Sequence, residues 1–564
     1  MPRLQSVNGV QPPKLKSEDP KKFVTRAWVE RTADTAVELM KRDDTHTIEK
    51  AAPLAVVRFS RGGKTRALKE LAQELHRRGT PVIFVSFNDE DGTAVSGKEI
   101  DALTRREEEG DGLLTMLLER IVWTKWYEER GHTMSFASWR SEYTATRDEV
   151  ETWINGRRAV SKTPAVLVID EMNVLLQLGK TKLSPKHYEK AMQKVYDFLK
   201  PNFLVPAGRL FAFSSHIYTL KAEVASGLDM GFPTGRRVEV CQLPLLDNIK
   251  DARELWSGAT PAAVVFYGRS PGLVCHDKGR FDELRDRLAR DPLGGREGDP
   301  RHGSVNWDAV VKVLVATLLD GDEPSKIIEP WWRFMDFDGT AVRVPPGYIA
   351  AMLRECGRLQ RSKWGESLQL IAGELERLMT SDENDGKGWE GLTRAATALQ
   401  LLQLEWGRVP SVPSGLLPHL TSRDRFGGMK QVAGADNVDS LGETLEDVAR
   451  SVSGERTTAF LIVPKDGRFQ KYDFLVVTVK KQKVTAKWGY QCKEGNRKPD
   501  GGSVPVEVEK GVWLCGRPAR PSKAGNTWKE ATVEEIRNFL GVSLREATPL
   551  EWFGIRDKQA GKQK

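Results

Sequence analysis

Apolar residues in the first half of the chain form short continuous runs that are separated by stretches of helical periodicity. Runs of this kind lie at 53–59 (PLAVVRF), 80–88, 165–169 (AVLVI), 210–216 and 238–243. Short runs rich in Val, Ile and Phe are typical of strands buried on both faces of a parallel sheet. Between the first two runs, apolar residues recur on one helical face, and a glycine follows as a C-terminal cap. The pattern predicts an α/β domain with a parallel sheet and flanking helices.

The turn before this helix carries the sequence RFSRGGKT at 58–65. Its end matches the phosphate-binding pattern G-x-x-x-x-G-K-[ST], but Arg58 stands where the pattern has its first glycine. A helix N-terminus offers N–H groups and partial positive charge to phosphates, and glycines allow close approach. We therefore predict ATP and Mg²⁺ binding, with Lys64 on the phosphates and the Thr65 hydroxyl on the metal. The residues assigned to the nucleotide are Arg58, Ser60, Arg61, Gly62, Gly63, Lys64 and Thr65. The alternative is an ordinary strand–turn–helix connection with a chance Gly-Lys-Thr.

A second motif, AVLVIDEMN at 165–173, places two acids at the end of an apolar run. Asp170 suits a Mg²⁺ ligand at the carboxyl edge of the sheet, and Glu171 suits the base that polarises an attacking water. The alternative is a buried strand followed by solvated acids. The order of the two motifs, with a further strand between them, favours ATP binding over a chance match.

A strand between the phosphate loop and the acidic pair is the arrangement of the AAA-like branch of P-loop ATPases. In that branch the strand after the acidic one ends in a polar sensor of the γ-phosphate. Ser214, Ser215 or His216 would be the sensor here. Arg236 and Arg237 are candidate transition-state arginines or ordinary surface residues.

The segments SRGGKTRALKELA, VIFVSFND, VLVIDEMN and FLVPAGRLFAFSSH together resemble the ATPase core of the Crinkler proteins and of the trypanosomatid retrotransposon-hot-spot (RHS) proteins. The resemblance covers residues 50–280 well and includes the arginine-bearing loop. It implies an effector-like P-loop ATPase joined to a C-terminal DNA nuclease of the restriction-endonuclease fold.

The resemblance directs attention to acids and lysines near the C-terminus. Nucleases of that fold hold Mg²⁺ between carboxylates, with a lysine nearby. Asp473 precedes an apolar strand, and alternation along the next strand, 484–493, puts Gln491 and Lys493 on one face. We predict that these three residues converge, Asp473 and Gln491 as Mg²⁺ ligands. Glu443 or Glu446 of an upstream helix would complete the site, and Glu443 is the preferred candidate. Glutamine in place of the second acid is a variant that the resemblance also implies. The alternative is a solvated strand-start acid and an ordinary surface lysine.

Composition and charge fit this class without requiring it. The chain has 86 Lys and Arg against 78 Asp and Glu, a formal net charge of +8, which permits nucleic-acid binding. Lysines interleaved with Trp488 and Tyr490 suit either nucleic acid or a solvated sheet edge. Five scattered cysteines without C-x-x-C spacing predict no zinc site and fit a reducing compartment. The absence of a long apolar run predicts no membrane span.

Breaks in composition divide the chain. We predict a disordered basic tail at 1–22, an ATPase domain at 23–290, a helical or winged-helix-like domain at 304–379, a restriction-endonuclease-like α/β domain at 389–555 and a basic tail at 556–564. The N-terminus has no apolar stretch for a secretory signal. Basic tails and DNA chemistry favour the nucleus, of the producing cell or of a host.

Two functions compete. In the first, an ATPase cycle gates a Mg²⁺-dependent DNA nuclease. In the second, the chain is a nucleotide-dependent regulatory or DNA-binding protein whose C-terminal domain does not cut. A loop that binds ATP without turnover is a third possibility, against which Glu171 argues. AAA-like ATPases often assemble so that a neighbour completes the site, so a homo-oligomer is a further candidate state.

Overall fold

The computed structural model describes residues 10–15, 25–41, 51–59, 62–88, 92–105, 109–130, 134–155, 164–215, 238–277, 307–321, 334–337, 342–359, 365–381, 387–403, 416–418, 426–433, 439–464, 472–492, 509–514, 528–553 and 555. The chain divides into two compact units, Met1–Pro244 and Leu245–Lys564. The second unit therefore begins inside the segment 23–290 that the sequence assigned to the ATPase. The structure describes no helix long and apolar enough to cross a membrane.

The first unit is built on a parallel sheet of five strands. Its strands are β1 (Leu54–Val57), β2 (Val82–Ser86), β3 (Ala165–Asp170), β4 (Arg209–Ser215) and β5 (Glu239–Val240). They lie in the order β2-β3-β4-β1-β5. Every residue of β2, β3 and β4 is buried, which explains why their apolar runs are continuous. The predicted strands are confirmed. In the sheet, β4 lies between β1, which precedes the loop, and β3, which carries the acids.

Helices cover this sheet because their apolar faces need burial. The helix after the loop buries Ala67, Leu68, Leu71 and Leu75, as its periodicity predicts. The helices of the unit are α1 (Arg26–Met40), α2 (Lys64–Arg77), α3 (Gly97–Arg105), α4 (Gly112–Arg130), α5 (Phe136–Glu142), α6 (Arg147–Asn155), α7 (Met172–Lys182) and α8 (Pro185–Leu199), with a π-helical turn at Lys200–Leu204.

Two details bear on the segments around this sheet. Within the predicted N-terminal tail, Val10 is buried and the Pro13 carbonyl accepts a hydrogen bond from Gln73 at 3.1 Å. In the segment between β2 and β3, Trp123 stacks on Trp126 and packs against Trp139. These tryptophans therefore pack α4 against α5.

The second unit opens with helices. They are α9 (Ile249–Leu255), α10 (Pro261–Phe266), α11 (Pro271–Asp277), α12 (Trp307–Asp320), α13 (Pro346–Leu359), α14 (Gly365–Thr380) and α15 (Lys387–Leu402), with a two-stranded ribbon of β6 (Asp336–Phe337) and β7 (Val342–Arg343). Within the segment 304–379, which the sequence predicts to be helical or winged-helix-like, the described elements are α12, the ribbon, α13 and most of α14. The predicted middle and C-terminal segments, 304–379 and 389–555, fall within this one compact unit.

A mixed sheet of six strands follows. Its elements and those that flank it are β8 (Phe426–Ala433), α16 (Asp439–Arg450), β9 (Thr457–Val463), β10 (Phe474–Lys480), β11 (Lys483–Gln491), β12 (Lys510–Trp513), β13 (Lys529–Glu530), α17 (Val533–Ala547) and a 3-10 turn at Leu550–Phe553. The strands lie in the order β13-β12-β11-β10-β9-β8. Strands β9, β10 and β11 are antiparallel, whereas β8 runs parallel to β9, and β12 parallel to β11. One face buries apolar residues of α16 against β9 and β10. On α15, Trp389 is fully buried and donates to the Leu514 carbonyl at 2.9 Å.

Candidate nucleotide site

The loop between β1 and α2 ends at Gly63, whose backbone conformation is easily adopted only by a residue without a Cβ. Gly63 has a φ of 89° and lies at the N-cap position of α2. Gly63 has no side chain that could cap this helix start. Backbone N–H groups at a helix start attract anions, as the mechanism of a phosphate loop requires.

Arg58, which replaces the first glycine of the usual pattern, packs beneath the loop. The residue is buried, and its guanidinium carbon lies 5.4 Å from the centre of the Phe59 ring. Its Cγ is 2.2 Å from the position that a Cβ on Gly62 would occupy. Gly62 is therefore required by the stem of Arg58, in addition to any close approach of phosphate. The sequence assigned both residues to the nucleotide and missed this contact.

Lys64, the loop lysine, is also buried. Its Nζ donates to the Phe59 carbonyl at 3.2 Å and lies 3.9 Å from Glu171 Oε1. The amide of Gly62 donates to the same carbonyl at 3.0 Å. The ammonium thus lies between the loop backbone and the acidic pair.

Thr65 and Asp170 meet across the carboxyl edge of the sheet. The Thr65 hydroxyl donates to Asp170 Oδ2 at 2.8 Å, although 105 positions separate the two residues. Asp170 is fully buried, and this burial, together with the neighbouring Glu171, raises the pKa of the Asp170 carboxyl to about 6. The two predicted metal ligands are therefore adjacent.

Glu171, the predicted base, adopts a left-handed backbone conformation with a φ of 57° and begins helix α7. Its N–H donates to the Ser214 hydroxyl at 2.9 Å, and that hydroxyl donates to Asp170 Oδ1 at 2.6 Å. The predicted sensors Ser214 and Ser215 are both fully buried at the end of β4. The sequence placed Ser214 at the right strand end, but it did not indicate that its hydroxyl contacts the acids.

Several predicted residues lie outside the described part of the chain: Ser60, Arg61, His216, Arg236, Arg237 and Lys493. Within the described part, no group of three or more His, Cys, Asp and Glu residues could hold a metal ion. Thr65 and Asp170 offer one hydroxyl and one carboxylate, which is fewer ligands than such a group contains. They suit a Mg²⁺ ion that takes its other ligands from phosphate and water.

The second predicted site lies at the β10–β11 pair. Asp473 immediately precedes β10, and its N–H donates to the Tyr490 carbonyl at 2.7 Å, next to Gln491. The Asp473 carboxylate accepts a hydrogen bond from the backbone N–H of Cys492. Asp473 therefore lies beside the end of β11, and its carboxylate is bonded to the backbone that follows this strand.

Other groups at this pair differ in burial. Gln491 is buried, whereas Glu443 is exposed on α16. Cys492, also buried, contacts the Thr393 hydroxyl at 3.0 Å through its sulfur, and burial raises the pKa of its thiol well above the ordinary value. Assignment of Glu443, Asp473, Gln491 and Lys493 to a nuclease stays a prediction.

The strand order, the loop after β1 and the acids at the end of β3 define the first unit as a P-loop ATPase fold with the AAA-like strand arrangement. Neither a protein-family model nor a curated protein matches the chain. Several solved structures are similar to it, including the following two. One is a Walker-type ATPase of Pyrococcus abyssi, at 14% identity and a TM-score of 0.36, covering 61% of this chain and 99% of that one. The other is the Drosophila ORC bound to GC-rich DNA and Cdc6, at 12% identity and a TM-score of 0.25, covering 67% and 69%.

Proposed function

We propose that the first unit binds ATP with Mg²⁺ and hydrolyses it. The observation that carries this proposal is the hydrogen bond between Thr65 and Asp170, beside the buried ammonium of Lys64. A chance Gly-Lys-Thr would not bring its threonine to a buried acid at the end of a separate strand.

The residues fit a magnesium nucleotide. The uncapped start of α2 and the backbone at Gly62 and Gly63 would hold the phosphates, with Lys64 as their cation. Thr65 and Asp170 supply oxygen ligands of the kind that Mg²⁺ prefers. The ion would neutralise charge on the phosphates as it builds up during transfer.

Glu171 is the residue that would act on the attacking water. Its side chain is 19% exposed, so solvent can reach a carboxylate whose neighbours are buried. The Glu171 carboxylate would accept the water proton as the water oxygen bonds to the γ-phosphorus. The bond to the bridging oxygen then breaks, and ADP and phosphate leave. Lys64 would hold the phosphates in line during this step.

Phosphate release with ATP and Mg²⁺ tests this proposal, together with binding of a fluorescent ATP analogue to the same protein. We expect wild type to bind the analogue and release phosphate. The proposal fails if wild type releases none and Lys64→Ala binds ATP equally well.

For the second unit we propose action on DNA, following the resemblance to Crinkler and RHS proteins. Support comes from the neighbourhood of Asp473 and Gln491 and from the lysine-rich turn between β10 and β11, where Lys481 and Lys483 are exposed. In the first version, ATP turnover gates Mg²⁺-dependent cleavage with Asp473 as metal ligand. In the second version, the unit binds DNA without cutting it, a version favoured by the hydrogen bond between Asp473 and Cys492.

Plasmid cleavage, with and without ATP and Mg²⁺, separates the two versions. Cleavage that needs both and disappears in Asp473→Ala supports the nuclease. DNA retention in a filter assay without cleavage supports the binding protein, and cleavage that persists in Asp473→Ala means that the site is elsewhere. Nuclear residence and self-association belong to the same proposal and are testable by imaging and by sedimentation.

A further inference from the structure

The Ser214 hydroxyl, at the carboxyl end of β4, makes two hydrogen bonds to the acidic pair of the neighbouring strand. It donates to Asp170 Oδ1 at 2.6 Å and accepts from the Glu171 N–H at 2.9 Å. A serine hydroxyl has one proton to donate, and here Asp170 receives it. Ser214 is fully buried, so both bonds are shielded from competing solvent.

The second bond falls on a residue that needs support. Glu171 has a φ of 57°, in the left-handed region that residues with a Cβ rarely adopt. Such a conformation persists where the surroundings hold it in place. The Glu171 N–H is held by Ser214, and the Glu171 carbonyl accepts from the Val174 amide at 2.9 Å at the start of α7. The direction of the Glu171 side chain therefore depends on Ser214.

These contacts differ from those expected of a phosphate sensor. A sensor of the γ-phosphate presents a hydrogen-bond donor to the nucleotide, whereas the donor of Ser214 is directed at Asp170. The next residue, Ser215, bonds to the segment that follows β1: its carbonyl accepts from the Arg58 N–H at 3.3 Å. The end of β4 thus bonds to the acidic pair through one residue and to the base of the phosphate loop through the next.

We propose that Ser214 is a positioning residue for hydrolysis, which holds Glu171 in its left-handed conformation and orients Asp170, and that it does not sense the γ-phosphate. The inference rests on the proposed ATPase function. It predicts that loss of the hydroxyl slows the chemical step and leaves discrimination between ATP and ADP intact.

Ser214→Ala tests this, with kcat for phosphate release measured at saturating ATP and Mg²⁺. Affinities for ADP and for a nonhydrolysable ATP analogue are measured by competition with a fluorescent nucleotide. We expect kcat to fall about 10- to 100-fold, the usual cost of removing a group that orients a ligand or base. The ratio of the two affinities should stay within about threefold of wild type. If Ser214 donated a hydrogen bond to the γ-phosphate, its loss would change this ratio by roughly that factor or more.

Ser86→Ala is the matched control, since Ser86 ends β2 at the same edge and its hydroxyl accepts only from the nearby Asn88 amide among the bonds described. The Ser86→Ala variant should leave kcat within about threefold of wild type, which is roughly the effect of one hydrogen bond. Circular dichroism shows whether each variant folds. Ser214→Cys, nearly the same size with a weaker donor and acceptor, serves if the alanine variant does not fold, and should show a smaller effect in the same direction.

A selective loss of affinity for the ATP analogue in Ser214→Ala would identify Ser214 as a sensor and overturn the inference. An unchanged kcat in a folded Ser214→Ala would overturn it as well. Failure of the underlying ATPase proposal is recognised separately, because wild type itself would then release no phosphate.

Discussion

Two places in the molecule bring polar residues together at strand ends, and they do so differently. At the edge of the parallel sheet, Thr65, Asp170 and Ser214 come from three separate segments and bond to each other through side chains. At the β10–β11 pair, the Asp473 carboxylate bonds to the backbone of the adjacent strand, at Cys492.

The difference follows from strand direction. Parallel strands all end at the same edge, so side chains remote in sequence meet there and face a common ligand. An antiparallel pair brings together residues that are close in sequence, and the backbone of one strand readily satisfies an acid that begins the other. Convergence of side chains is therefore the stronger indication of chemistry, and the two sites can be tested on that ground.

Lys64→Ala should have the largest effect. We expect loss of at least about 100-fold in phosphate release, since the variant removes the cation that holds the phosphates. Fluorescent-nucleotide binding should fall in parallel. Lys182→Ala, an exposed lysine at the end of α7, is the control and should behave as wild type. Equal losses in both variants would show that general charge matters and the site does not.

Gly62→Ala should weaken nucleotide binding by about 10-fold or more, because the new Cβ would overlap the stem of Arg58 and the loop must shift. The double variant Arg58→Gly, Gly62→Ala should recover only part of this loss. It removes the 2.2 Å overlap but leaves the Phe59 carbonyl at 2.9 Å from the new Cβ. A double variant no better than the single one would refute the packing role of Arg58.

The stability of the strands around Asp170 should depend on pH. The folded-state pKa of Asp170 is raised to about 6 from an ordinary 3.8, so its stabilising contribution is present below pH 3.8 and is lost as pH rises through 6. Asp170→Asn does not titrate at this position. The free energy of unfolding of the variant relative to wild type should therefore increase by roughly 2–3 kcal/mol between pH 4 and pH 7. Hydrogen exchange of β3 and β4 amides, corrected for intrinsic rates and measured without nucleotide, checks this. A constant difference between the two proteins would contradict it.

Asp473 should show the smallest effect on stability. Asp473→Ala removes the acceptor for the Cys492 N–H and should cost about 1 kcal/mol in the local opening of β10 and β11. Asp473→Asn keeps an acceptor oxygen and should cost less, as hydrogen exchange of the two strands would show. Plasmid cleavage that is lost equally in both variants, with little change in stability, would instead make Asp473 a metal ligand.

Much of the first unit could be predicted from the sequence, because its signals are continuous. Apolar runs such as 165–169 give buried strands, and Gly63-Lys64-Thr65 between a strand and a helix gives the loop. The contact of Arg58 with Gly62 and the left-handed turn at Glu171 could not be predicted. Both depend on how neighbouring segments pack, which periodicity along one strand does not encode.

In the second unit, the sequence predicted β10 and β11. Alternation placed Gln491 and Cys492 on opposite faces, but it could not tell that both would be buried. The reason is that helices cover both sides of this sheet, so neither face of β11 points to solvent at its end.

The most direct test of ATP hydrolysis at this site is the variant Glu171→Gln. If Glu171 is the base at a working nucleotide site, the variant should bind ATP within about threefold of wild type, while phosphate release falls at least about 100-fold. Glutamine keeps the size and backbone of the residue and removes only the proton acceptor. Phosphate release equal to that of wild type would contradict the account.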